Sequence, residues 1–137
     1  MILDSSVSGK QHRASRRPRV VIVEDDPALL SALQFSLEAE GYEVCAFSSQ
    51  NELLARREAF LNASCLVVDY RLAPLDGLEL YALLEGLGLK APAILVTSNP
   101  DEECRRGARE LGVKIIEKPL LSDDLSRMIG QLVVAAG

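Results

Sequence analysis

The chain has 137 residues, 48% hydrophobic and 26% charged, a size that suits one hydrophobic core and an apolar content too high for a disordered chain. No apolar run approaches the roughly 20 residues that span a bilayer, and residues 1–18 lack the apolar stretch of a secretory signal, so a soluble, cytoplasmic protein with no membrane partner is expected. Charge divides along the chain: Lys10, Arg13, Arg16, Arg17 and Arg19 against Asp4 give residues 1–19 a net +4, the remainder carries −9, and an acidic body of that sign argues against direct nucleic-acid binding.

Residues 1–18 read as a flexible basic tail and 19–137 as the folded unit. The β-branched run RVVIVE (19–24) predicts a first strand, and Asp26 before Pro27 an N-cap with proline at the first helical position. Leu29, Leu33 and Leu37 then mark one face of a helix that stops at Gly41. YEVCAF (42–47) is the second strand. Ser49 with Glu52 reads as a capping box, opening one helix over 50–61 with Leu53, Leu54 and Phe60 inward. CLVVD (65–69) is the third strand, and Asp76 with Glu79 caps a helix that carries Leu80, Leu83, Leu84 and Leu87 and ends at the glycines at 86 and 88. APAILVT (91–97) is the fourth strand; Asn99 and Pro100 start the fourth helix, which Gly112 ends. VKII (113–116) is the fifth strand, and Ser122 caps a last helix with Leu125, Met128, Ile129, Leu132 and Val133 inward.

Five apolar strands alternating with five helices imply an α/β fold, a three-layer (βα)5 sandwich around a parallel sheet. Cys45, Cys65 and Cys104 are odd in number and widely spaced, which suits inert thiols better than a disulfide framework or a metal site. Arg105, Arg106 and Arg109 share their helix with Glu102, Glu103 and Glu110, the pattern of a salt-bridged solvent face.

Ligands of an open parallel sheet bind beyond the carboxyl ends of its strands. That edge collects Glu24, Asp25 and Asp26 after the first strand, Asp69 at the end of the third, Thr97 and Ser98 at the fourth, and Lys118 with Pro119 after the fifth. Carboxylates so crowded need a cation, oxygen ligands select a hard one, and Mg2+ suits one or two carboxylates with positions left for phosphate oxygens. Asp69 would then serve as a nucleophile toward a phosphoryl group, with Lys118 stabilising its charge and Thr97 offering a hydroxyl. Asp26 is better spent as a helix cap than as a ligand, because Pro27 follows it.

The series VVIVEDDP, LVVDYRLAPLDGLEL, ILVTS and IIEKPL, in order over residues 19–134, resembles the receiver domain of bacterial response regulators, the family that includes the chemotaxis protein CheY. The resemblance implies a flavodoxin-like fold with a five-stranded parallel sheet in the order 2-1-3-4-5. It implies a phosphoacceptor signalling domain of a two-component phosphorelay, rather than an enzyme acting on other substrates, that takes its phosphoryl group with Mg2+ from a histidine kinase or histidine phosphotransfer protein. By position, Asp69 would be the phosphoacceptor, Thr97 the switch hydroxyl and Lys118 the phosphate-binding lysine. Glu24, Asp25, Asp69 and the backbone carbonyl of Arg71 would hold the metal, and the Lys118–Pro119 peptide would be cis. The switched partner is a downstream protein, with a second copy of this chain left open as a dimer partner, and the chain reads either as a single-domain regulator or as a fragment of a longer one.

Three features depart from similar receivers. Ile115 stands three positions before the lysine, where an aromatic side chain usually swings inward, so a different rearrangement of the fourth helix and fifth strand is expected. LAP (72–74) puts the proline of the loop after Asp69 one position late. Arg71 and Asn99 occupy the positions two beyond the acceptor and the threonine that tune dephosphorylation, and a bulky Arg71 predicts a long-lived phosphoryl form. The rival readings are a receiver-shaped module that dimerises without phosphorylation, a flavodoxin-like cofactor carrier, which the repelling EDD (24–26) loop disfavours, and a phosphatase, which lacks a second acid beside Asp69.

Overall fold

The computed structural model describes residues 17–120 and 123–136. Along them run β1 (Arg19–Val23), α1 (Pro27–Ala39), β2 (Glu43–Phe47), α2 (Gln50–Leu54), α3 (Arg57–Leu61), β3 (Cys65–Asp69), α4 (Gly77–Gly86), β4 (Ala93–Thr97), α5 (Glu102–Leu111), β5 (Lys114–Glu117) and α6 (Asp124–Ala136). The strands form one parallel sheet in the order β2-β1-β3-β4-β5, as the resemblance implied. Every residue of β3 and β4 is buried, which explains why these strands are apolar throughout instead of alternating.

Successive side chains of the inner strands leave the sheet on opposite sides and so feed two cores. Val21, Val23, Leu66, Val68 and Leu95 meet Leu53, Phe60, Leu80, Leu84, Cys104 and Ala108 from α2 to α5 on one face. Val20, Ile22, Val67, Ile94 and Val96 meet Leu33 and Leu37 of α1 and Leu125 and Ile129 of α6 on the other, with Met128, Leu132 and Val133 half-buried against them. Among the described residues no helix is long and apolar enough to cross a membrane.

Local chemistry sets most element ends as expected. Asp26 accepts the Ala28 and Leu29 N–H groups ahead of Pro27, Asp76 and Glu79 close a full capping box, and Gly112 ends α5 in the left-handed region at φ +70°. Residues 1–16, most of the expected basic tail, and the expected cap Ser122 lie outside the described residues.

Several expectations are corrected. The single helix over 50–61 is two, α2 and α3, broken at Ala55 and Arg56. The break falls at Arg56, whose backbone is non-helical (φ −119°, ψ 66°), and the Glu58 and Ala59 carbonyls of the last turn of α3 accept the Arg19 guanidinium at 3.1 and 3.3 Å. The Ser49 box is half-made: its hydroxyl takes the Glu52 N–H, but the Glu52 carboxylate reaches back to Ser48. The fourth of the expected helices begins at Glu102, not at Asn99, because the Asp101 carboxylate caps it through the Cys104 N–H at 2.9 Å. Along α4, Leu80, Tyr81 and Leu84 are buried, the Tyr81 hydroxyl donating to the Ala91 carbonyl, and Leu83 is 39% exposed. Cys65 and Cys104 are buried and Cys45 is half-buried, all three are free, and burial pushes the Cys65 thiol up to about 12. Of the expected ion pairs on α5, Arg109 meets Glu102 at 3.3 Å.

Candidate functional site

Parallel pairing delivers the carboxyl ends of β1, β3, β4 and β5 to one edge. Glu24 follows β1 directly and continues its ladder by donating its N–H to the Phe47 carbonyl, so its side chain stays at the sheet edge, 2% exposed. Asp25 beside it is exposed, and Asp26 turns away to cap α1. Asp69 closes β3 opposite Val96 and is also buried. Thr97 closes β4 and is buried; its hydroxyl accepts the Asn99 N–H at 3.3 Å and its carbonyl accepts the Lys118 N–H at 2.8 Å, which fixes where the chain leaves β5. The Lys118–Pro119 peptide is cis, as expected, and so is Ala73–Pro74.

The residues that close or follow β1, β3 and β5 meet in one polar cluster, with Thr97 on the strand beside it. The Lys118 ammonium donates to Asp69 Oδ2 at 3.2 Å and lies 3.3 Å from Glu24 Oε1. Asp69 Oδ1 accepts the Arg71 N–H at 3.2 Å, and Glu24 Oε2 accepts the Asp26 N–H at 3.1 Å. Ligand oxygens of Glu24, Asp25 and Asp69 all lie within 4.8 Å of one another.

Electrostatics follow from this crowding. Burial, reinforced by the Asp69 carboxylate, pushes the Glu24 carboxyl up to about 7, against the pull of the Asp26 N–H and the Lys118 ammonium. Burial draws the Lys118 ammonium down, yet Asp69 and Glu24 together hold it above its ordinary value. Three carboxylates face one ammonium, an imbalance that a divalent cation would remove, and the donor set is oxygen only. The residues present therefore fit a hard cation such as Mg2+.

Of the residues named from the sequence, Glu24, Asp25, Asp69 and Lys118 come together directly, and Thr97 lies one position beyond the Val96 that faces Asp69 on the neighbouring strand. Arg71 and Asn99 are exposed on the loops after β3 and β4. Ile115 is half-buried in β5, paired with Leu95.

Two residues of the site escaped the sequence reading. A Cβ built on Gly77 would lie 2.5 Å from the Asp69 carbonyl oxygen and 2.9 Å from Leu95 Cδ1, so α4 starts against the backbone of Asp69 only because its first residue has no side chain. The available signal was a glycine in the first helical turn, where helix propensity gives no reason for one. Gln50 is 3% exposed and pairs with Leu75 of the loop after Asp69, a contact with no local sequence signature.

A doubly wound parallel sheet in the order 2-1-3-4-5 with an acidic cluster at its carboxyl edge is the flavodoxin-like architecture of CheY. A family model, the response regulator receiver domain, matches residues 20–130. The chain belongs to the response regulator receiver domain family. It is similar to the transcriptional regulatory protein FixJ of Bradyrhizobium diazoefficiens, 31% identical over 111 residues that cover 80% of this chain and 54% of FixJ. It is also similar to the response regulator protein TmoT of Ectopseudomonas mendocina, 30% identical over 85% of this chain and 53% of TmoT. The chain thus spans about half the length of these two relatives. Among solved structures, a CheY-like receiver domain protein from Methanospirillum hungatei JF-1 superposes with a TM-score of 0.78 at 30% identity, covering 87% of this chain and 95% of that one.

Proposed function

We propose that this receiver accepts a phosphoryl group on Asp69 from a histidine kinase or histidine phosphotransfer protein, with Mg2+, and that the change alters its binding to a downstream protein. The observation that carries this reading is the contact of one buried carboxylate, Asp69, with the Lys118 ammonium inside a cluster completed by Glu24 and Asp25. Glu24, Asp25 and Asp69 would hold the metal, together with the Arg71 carbonyl that the family resemblance implies. When bound, Mg2+ would supply positive charge against the phosphoryl oxygens.

The chain's own groups do the rest. An Asp69 oxygen attacks phosphorus as the P–N bond of a phosphohistidine breaks; the imidazole nitrogen keeps the bonding pair and takes a proton from solvent. Lys118, already held at Asp69 Oδ2, transfers its contact to a phosphoryl oxygen without changing position in the fold. The Thr97 hydroxyl donates to another, which draws on the loop that Asn99 opens and reports the modification to α5 and β5. The domain thereby assists its own phosphorylation, and kinase partners of this kind place it in the cytoplasm.

Incubation with acetyl phosphate followed by intact-mass measurement tests the reading. Addition of one phosphoryl group that needs Mg2+ and disappears in Asp69→Asn is expected. A chain that remains unmodified with Mg2+ present would instead be a receiver-shaped interaction module that works without phosphorylation.

A further inference from the structure

Gln50 is one of four buried polar residues among the described residues, and the other three, Glu24, Asp69 and Thr97, stand at the carboxyl ends of β1, β3 and β4. A buried primary amide is unfavourable unless both its halves are paired. Here both halves go to a single residue 25 positions away: Gln50 Nε2 donates to the Leu75 carbonyl, and Gln50 Oε1 accepts the Leu75 N–H at 3.4 Å.

Leu75 lies in the segment between Asp69 and α4. Arg71, Ala73 and Pro74 of that segment are exposed, while Leu72 and Leu75 pack half-buried against the core. Its ends are tied, because the Arg71 N–H is held by Asp69 Oδ1 and the Tyr70 carbonyl accepts both the Leu72 and Gly77 N–H groups. Between those ends the Gln50 amide supplies the directional polar contact, fixing the Leu75 backbone that apolar packing alone would leave free to shift.

From this geometry we infer that Gln50 is a positioning residue for the phosphoryl chemistry of Asp69. By pinning Leu75 it holds the loop that carries Arg71, and so keeps Asp69 and its approach path in the arrangement that accepts the phosphoryl group. The inference rests on the reading of Asp69 as the acceptor.

The test compares wild type with Gln50→Met, which keeps the length and apolar stem but loses the amide, and with Gln50→Leu in case the first variant folds poorly. Each is phosphorylated with acetyl phosphate at saturating Mg2+ over a range of acetyl phosphate concentrations. Amide hydrogen exchange is followed by mass spectrometry on the unphosphorylated proteins. Faster exchange confined to residues 70–77 is expected, with a maximal phosphorylation rate lower by about fivefold, the factor that the loss of one net hydrogen bond gives, and an unchanged half-saturating acetyl phosphate concentration. Faster exchange with an unaltered maximal rate would make the amide a structural contact only and overturn the inference, as would unaltered exchange in that segment. If the wild-type chain takes no phosphoryl group at all, the reading of Asp69 falls and this inference with it; wild-type modification with equal rates in the variants removes the role of Gln50 alone.

Discussion

The Lys118 ammonium lies 3.2 Å from Asp69 Oδ2, joining residues 49 apart in the chain, and the same ammonium sits 3.3 Å from Glu24 Oε1. One cation therefore serves two buried carboxylates that would otherwise face each other across the edge of the sheet. Removing it leaves both with their backbone N–H partners but no opposite charge, which is costlier than the pairing is favourable. Lys118 keeps 23% of its side chain exposed, so solvent screens part of that cost. Lys118→Ala is expected to lose about 1–3 kcal/mol of unfolding free energy in urea at pH 8 without divalent ions. Added Mg2+ should restore part of the loss, whereas an unfolding midpoint that stays at the wild-type value would show that the ammonium does not balance these charges.

The pH dependence of stability follows from Glu24, whose carboxyl is raised from an ordinary 4.5 to about 7. Between those values the folded state binds more protons than the unfolded one, so this group lowers stability as pH rises through that window, and the full penalty is present above it. Without divalent ions, Glu24→Gln should remove the penalty, gaining about 2–3 kcal/mol at pH 8 and nearly nothing at pH 4.5. Mg2+ should stabilise wild type more at pH 8 than at pH 5, because the carboxylate must be ionised to bind. Urea titrations at the two pH values with and without Mg2+ check both signs.

The cluster behind these two predictions is legible in the sequence. The strands are short apolar runs, parallel sheets gather their carboxyl ends at one edge, and the polar residue after each run could be read off directly: Glu24, Asp69, Thr97, Lys118. Periodicity registers the apolar spacing of Leu53, Leu54 and Phe60 but not the break between them. The helix over 50–61 divides at Arg56, whose backbone leaves the helical region. α5 starts later than Asn99 because Asp101 donates its N–H to the Asn99 carbonyl in a turn and then caps the helix with its own carboxylate. Gln50 was invisible for a different reason: glutamine at the start of a helix reads as a solvent-facing residue, and only the loop folded over it makes it buried.

Gly77 illustrates a signal that sequence carries without explaining. Alanine at this position would press its methyl group on the Asp69 carbonyl, Leu95 Cδ1 and the Tyr70 Cα at once, two of them backbone atoms that cannot rotate away. Gly77→Ala should therefore cost about 1–3 kcal/mol despite the better helix propensity of alanine. It should also slow acetyl phosphate modification, since the displaced backbone is that of Asp69 itself. Chemical denaturation and intact-mass time courses measure the two effects; a stabilised variant would mean that α4 shifts freely away from the sheet.

Arg71 donates its backbone N–H to Asp69 Oδ1 while its residue as a whole stays exposed, so its side chain is available to lie over a phosphoryl group on the neighbouring oxygen. Screening the acyl phosphate from water should lengthen its life. Arg71→Ala is expected to shorten the half-life of the phosphoryl form by about threefold to tenfold, within the range for losing one ordinary net hydrogen bond from an exposed side chain. The decay is followed by intact mass after removal of acetyl phosphate, and an unaltered half-life would assign the lifetime to other groups.

Ile115 sits half-buried in β5, beside Leu95 and against the core under α4 and α5. A branched aliphatic side chain is stiff at its first torsion and has neither the length nor the hydroxyl to follow Thr97 inward when the phosphoryl group arrives. Rearrangement at this edge then depends on the backbone link from Thr97 to Lys118 and on the Asn99 loop. Amide chemical-shift changes on phosphorylation should be smaller in β5 and α5 of the wild-type chain than in Ile115→Tyr, which regains a long side chain with a hydroxyl. Changes of equal size in the two proteins would show that the output of this receiver does not pass through position 115.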